Sequence, residues 1–92
     1  MKKLLVLLSM FAAVTASAAS VDCKIEAHVA AGELYTQENP GSTFFVRTKF
    51  KPVKEEKVIY QIVEIVDREN IGMVTQMTVS LNPKTCSVLS ID

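Results

Sequence analysis

The chain reads as a mainly β protein: a small antiparallel sheet or partly closed barrel of about five strands, held by one disulfide. Three observations carry that reading. Apolar and polar residues alternate along several short segments, as they do on strands with one covered face. Clusters of Pro, Gly and Asn separate those segments. Two cysteines, Cys23 and Cys86, stand near the two ends of what remains once the N-terminus is set aside.

Residues 1–18 stand apart. Lys2 and Lys3 precede an apolar run from Leu4 to Val14, and small residues follow with an A-x-A pattern at Ala16 and Ala18. This is the layout of a Sec-type signal peptide cleaved after Ala18, so the exported chain is expected to begin at Ala19 or within two residues of it. An apolar run of about 11 residues is too short for a bilayer that needs about 20. Asp22, just before Cys23, does not suit lipidation. Residues 19–92 then form a single small exported domain, periplasmic or extracellular, with no transmembrane segment after cleavage. The whole chain balances ten basic against ten acidic residues, and loss of Lys2 and Lys3 leaves it weakly acidic.

A domain of this size has a thin core and commonly carries a staple. An even cysteine count in an oxidising compartment reads as a disulfide, and two cysteines allow one intramolecular pairing, Cys23 with Cys86. There is no C-x-x-C spacing to suggest redox chemistry. The bond needs Cα atoms within about 7 Å, which places the first and last strands beside each other or across the core.

The elements follow in order. Residues 21–31 alternate, with Cys23, Ile25, Ala27 and Val29 on one side and Asp22, Lys24, Glu26 and His28 on the other, which predicts a half-exposed strand. Gly32 bends or bulges it before Glu33-Leu34-Tyr35. Residues 36–42 form a turn-rich loop punctuated by Pro40-Gly41. Residues 43–51 predict a strand with Phe44, Val46, Thr48 and Phe50 inward and Phe45, Arg47, Lys49 and Lys51 outward, ended or confined to an edge by Pro52. Residues 67–72 read as a hairpin loop. Residues 73–81 alternate with Met73, Met77, Val79 and Leu81 inward, Asn82-Pro83-Lys84 is a turn, and residues 86–91 close the sheet.

Residues 58–66 decide the fold, and their composition and periodicity disagree. Six of these nine residues are Val or Ile, which favours a strand. The same residues also fall on one helical stripe, with Tyr60, Gln61 and Glu64 opposite. The alternative fold is therefore α+β, a four-stranded β-β-α-β-β sheet with one covering helix at about 53–69. As a strand, the run has two apolar faces. We expect Val58, Tyr60 and Ile62 to enter the core and Ile59, Val63 and Ile65 to form an outward row.

The segment from Leu81 to Asp92, with its Asn82-Pro83-Lys84 turn and Cys86-Ser87-Val88-Leu89 strand, resembles the closing turn and strand of small secreted PepSY-type and cystatin-like domains. Those families imply a helix ahead of the sheet, and residues 21–50 show none by alternation. The resemblance covers this closing segment alone and assigns no family.

Little in the chain carries chemistry. His28 is the only histidine, so a multi-histidine metal site is excluded, and the chain has no second candidate base for a serine triad. On the predicted strand His28 faces solvent. Glu55 and Glu56 point to opposite faces of an extended chain and read as a solvated cluster. No phosphate-binding glycine loop occurs. The expectation is no enzyme, no cofactor, no metal and no catalytic residue.

The functional asymmetry is one of charge. Arg47, Lys49, Lys51, Lys54 and Lys57 crowd into a short stretch, the first three beside Phe45. Such a row suits an anionic surface, and equally protects a sheet edge from aggregation. Weak net acidity and one exposed aromatic argue against nucleic acid. The expected function is a small exported non-enzymatic binding or inhibitor-like module. It would act through a sheet edge or exposed apolar face, with Phe45, Arg47, Lys49, Lys51, Ile59, Val63 and Ile65 as the interaction surface and an unidentified protein as partner. The alternative is a self-associating envelope structural or accessory protein.

Overall fold

The computed structural model describes residues 20–92; the expected leader lies outside them. The architecture is one helix laid across an open five-stranded antiparallel sheet. After a 3-10 turn at Val21–Cys23 comes helix α1, Lys24–Glu38. Strands β1 (Phe44–Thr48), β2 (Val53–Lys54), β3 (Ile59–Asp67), β4 (Val74–Leu81) and β5 (Val88–Ile91) follow. β3, β4 and β5 form a meander, and β1 and β2 both pair with the free side of β3. No pairing joins β1 to β5, so the sheet is open rather than a barrel. Among the described residues no helix is long and apolar enough to cross a membrane.

β1 and β2 behave as one interrupted edge strand. Thr48 pairs with Val63 and Val53 with Tyr60, so residues 49–52 stand opposite only Gln61 and Ile62. The surplus loops out as a bulge. Pro52 is its physical cause, because it has no N–H to give the ladder. Phe50 consequently sits exposed in the bulge and not in the core where alternation placed it.

The first expected strand is a helix. Over residues 21–31 the alternation of Cys23, Ile25, Ala27 and Val29 competes with a longer pattern that it conceals. Cys23, Ala27, Ala30, Ala31 and Leu34 recur at helical spacing, and these are the residues packed in the core. Ala27, Ala30 and Ala31 also have the highest intrinsic helix preference. Ile25, inward on the strand reading, is 64% exposed. The small inner residues let α1 lie close to β1, β3 and β4. At its end the Asn39 N–H bonds the Tyr35 carbonyl at 2.8 Å, and Pro40 with Gly41 (φ +86°) turns the chain towards β1.

The covering helix is thus real but lies at Lys24–Glu38, while residues 59–67 are strand. The faces of β3 are also reversed from expectation. Ile59, Val63 and Ile65 are buried beneath α1, with Val63 at 0% exposure, so they form no outward row. Tyr60 and Ile62 lie on the opposite, uncovered side and are only half-buried. The reason is charge. Glu64 shares the side of Tyr60 and Ile62 and needs solvent-side cations, whereas Gln61 on the other side is neutral and donates to the Asp22 carbonyl at 2.8 Å.

Cys23 and Cys86 are disulfide-bonded with Cα atoms 5.3 Å apart. The bond joins the start of α1 to the β4–β5 turn, not one strand to another. Both residues have left-handed backbone, φ 59° and 60°. Such a conformation is costly for a residue with a Cβ and persists only where the surroundings hold it. The pair fits an oxidising, exported location.

Candidate interaction surface

With α1 on one side of the sheet, the other side has no covering element among the described residues. Its side chains follow from register. Phe45, Val66 and Val74 stand side by side on β1, β3 and β4. Next come Arg47, Glu64 and Gln76, then Ile62 beside Thr78, then Val53, Tyr60 and Ser80. Two apolar patches result, with a charged row between them. Phe45, Val53 and Val74 are exposed, while Val66 is buried by its cross-strand neighbours Phe45 and Val74.

The charged row is centred on Glu64, only 6% exposed although it lies on the open face. Arg47 Nε donates to Glu64 Oε1 at 2.9 Å, and Lys49 Nζ lies 3.8 Å from Oε2. Both cations remain about half exposed and reach in from the edge strand. Arg68 adds a third positive group, its guanidinium 5.3 Å from the centre of the Phe45 ring. The face thus presents Arg47 and Lys49 around the screened carboxylate of Glu64, with Arg68 over Phe45 and apolar side chains on either side.

Of the residues that sequence nominated for a surface, Phe45, Arg47 and Lys49 come together here. Lys51 is exposed in the bulge and lines a separate cleft with Val21, Lys24 and Phe50. Ile59, Val63 and Ile65 belong to the core and leave the surface. The residues missed are Tyr60, Ile62, Glu64, Val66, Arg68, Val53 and Val74. One signal would have found most of them: the face of a two-sided apolar strand that carries the carboxylate is the face that stays wet.

His28 is not a solvent-facing filler. It lies on α1, half-buried, with Nε2 2.6 Å from Thr48 Oγ1, and so ties the helix to the last residue of β1. Burial, reinforced by the Lys24 ammonium one turn earlier, holds its imidazole below the usual 6.5. Glu26 is pushed up by burial, but hydrogen bonds from the Ser20 hydroxyl, its own N–H and the Ser20 N–H outweigh this and hold it below 4.5.

Both shifts carry the same sign for stability. Each group binds fewer protons folded than unfolded, so each stabilises the fold fully above its unfolded pKa. The His28 contribution is expected to fall as pH drops below about 6.5, and that of Glu26 below about 4.5. Thermal melts from about pH 2 to pH 8 check this. The melting temperature should decline in two stages on acidification, with His28→Gln flattening the upper stage and leaving the lower.

No protein-family model, curated protein or solved structure matches the chain.

Proposed function

We propose that the chain is a small exported, non-enzymatic binding module that engages a protein partner across the open face of its sheet. The observation that supports this is the pairing of two uncovered apolar patches with a cationic centre on one side of so small a domain. Exposed apolar area rimmed by charge is the usual character of a docking surface. Arg47, Lys49 and Arg68 outweigh Glu64 and make the face electropositive, so the complementary partner surface is acidic at its centre with apolar groups to either side. The edge of β1 lies beside the same face, and strand addition there would extend the contact. Self-association would bury the same patches, but like charges at its centre would oppose it.

A photo-crosslinking residue placed at Tyr60 or Phe45 tests the reading in exporting cells, with the same probe at Ile25 on the outer side of α1 as the control. The expected result is a single heterologous adduct from the open face, none from Ile25, and weakening by added salt. Ile62→Lys should weaken that complex roughly thirtyfold, as for a central apolar contact, while leaving the fold intact. Adducts only to a second copy of the chain would establish self-association instead. Equal adducts from Ile25 and the sheet would refute the surface.

A further inference from the structure

Glu26 is the least solvent-exposed charged residue among the described residues, at 2%, and no described Lys, Arg or His pairs with it. A buried carboxylate without a cation is expensive. Its partners are instead clustered on one residue six positions earlier. The Ser20 main-chain nitrogen lies 3.1 Å from Glu26 Oε2, and the Ser20 hydroxyl donates to Oε1. That hydroxyl also accepts from the Ile25 N–H at 3.1 Å, at the first turn of α1. Ser20 is thereby held from three directions, with its nitrogen aimed at a carboxylate.

Two peptide bonds in this stretch have alanine just before the cut and a small residue two positions earlier, the pattern signal peptidases favour. One follows Ala18, with Ala16 two residues before it. The other follows Ala19, with Ser17 in the equivalent place. Sequence favours the first. We infer that the second is cut, between Ala19 and Ser20, and that the Ser20 α-ammonium so created is the missing cation of Glu26. This rests on the export reading proposed above.

The chemistry is a simple hydrolysis. Water cleaves the amide: its oxygen goes to the Ala19 carbonyl carbon, the leader departs with Ala19 as a carboxylate, and both water protons end on the Ser20 nitrogen, which becomes an ammonium. The one N–H that Ser20 gives before cleavage becomes three donors and a full positive charge at the same position. Cutting one residue earlier would leave Ser20 an amide and Glu26 without its counter-ion. Maturation then adds a charge-assisted pair where the chain enters α1, three residues before Cys23. The uncut precursor lacks that pair and folds less stably, which suits a chain that must cross a membrane unfolded.

The test has two arms. The intact mass of the exported protein should correspond to a start at Ser20. A start at Ala19 or elsewhere would overturn the inference while leaving export standing, whereas a mass retaining Lys2 and Lys3 would overturn the export reading itself. In the second arm, oxidised protein beginning at Ser20 is unfolded in denaturant with its α-amine free or acetylated. Acetylation should lower the folding constant roughly ten- to a hundredfold, and by less than about twofold in Glu26→Gln. Should Glu26→Gln not fold, a protein extended by Ala19 replaces it and should lose as much stability as acetylation removes. An equal effect of acetylation in both backgrounds, or an extension without cost, would show that no such pair exists.

Discussion

Reduction of the Cys23–Cys86 bond is expected to lower stability by about 4 kcal/mol, because the bond closes a long loop in the unfolded chain. The two cysteines are 63 positions apart. For a domain of this length that loss corresponds to a drop on the order of 20 °C in melting temperature. Denaturant titration with and without reductant measures it, read as a lower midpoint with a steeper slope, because the reduced unfolded chain is less compact and exposes more surface. The backbone adds a second reason to expect a large effect. Asp22, Cys23 and Cys86 all hold positive φ without being glycine, and the bond clamps two of them. The Cys86 N–H also bonds the Asn82 carbonyl at 2.7 Å, so the turn should survive reduction better than the start of α1. Amide exchange should accordingly quicken first at residues 23–27. A reduced protein with an unchanged midpoint would mean that the helix and sheet hold together without the bond.

Much of this fold was legible in the sequence, and the failures share a cause. β1 and β4 alternate cleanly because one face of each is wet and the other packed against α1. Their inward residues Phe44, Val46, Met77, Val79 and Leu81 were correctly read, whereas Met73, read as inward just before β4, is 62% exposed. The pairing of the only two cysteines needed nothing but counting. α1 was missed because alternation over a few residues is compatible with both periods, and only extension to Ala30, Ala31 and Leu34 separates them. That error also supplied one of the reasons for setting aside the likeness of the closing segment to helix-plus-sheet domains, and a helix does precede this sheet. No family match takes its place.

The candidate surface was half legible. Phe45 and Arg47 face outward as read, because β1 is an edge strand with one open face, and Lys49 follows them just past its end. Their partner Glu64 was not foreseen, because cross-strand register depends on where the chain bulges, and the bulge at residues 49–52 cannot be sized from composition. Once register is known, Arg47 opposite Glu64 follows directly.

The reversal of β3 generates the prediction with the widest spread between neighbouring residues. Val63 sits at the centre of the covered face, in register with Thr48 on β1 and Met77 on β4, and fully enclosed. Val63→Lys puts an ammonium into the packed layer between α1 and the sheet, cut off from water. Desolvation of an unpaired charge costs several kcal/mol, comparable with the whole stability of a small domain. This variant should not fold, and circular dichroism should show no cooperative melt. Val63→Ala, which removes only two carbons, should still fold with a loss of about 2 kcal/mol, separating burial from any general intolerance of the site. Ile62 is the adjacent residue and points the other way, beside Thr78 and opposite the bulge. Ile62→Lys can run its methylenes along the open face and leave its ammonium in water. It should melt within a few degrees of the unaltered protein, at a cost of about 0.5 kcal/mol. Tyr60→Lys, on the same open face, should behave likewise. Were Ile62→Lys to unfold the domain while Val63→Lys melted normally, α1 would have to cover the opposite side of the sheet, and the surface proposed for binding would be the core.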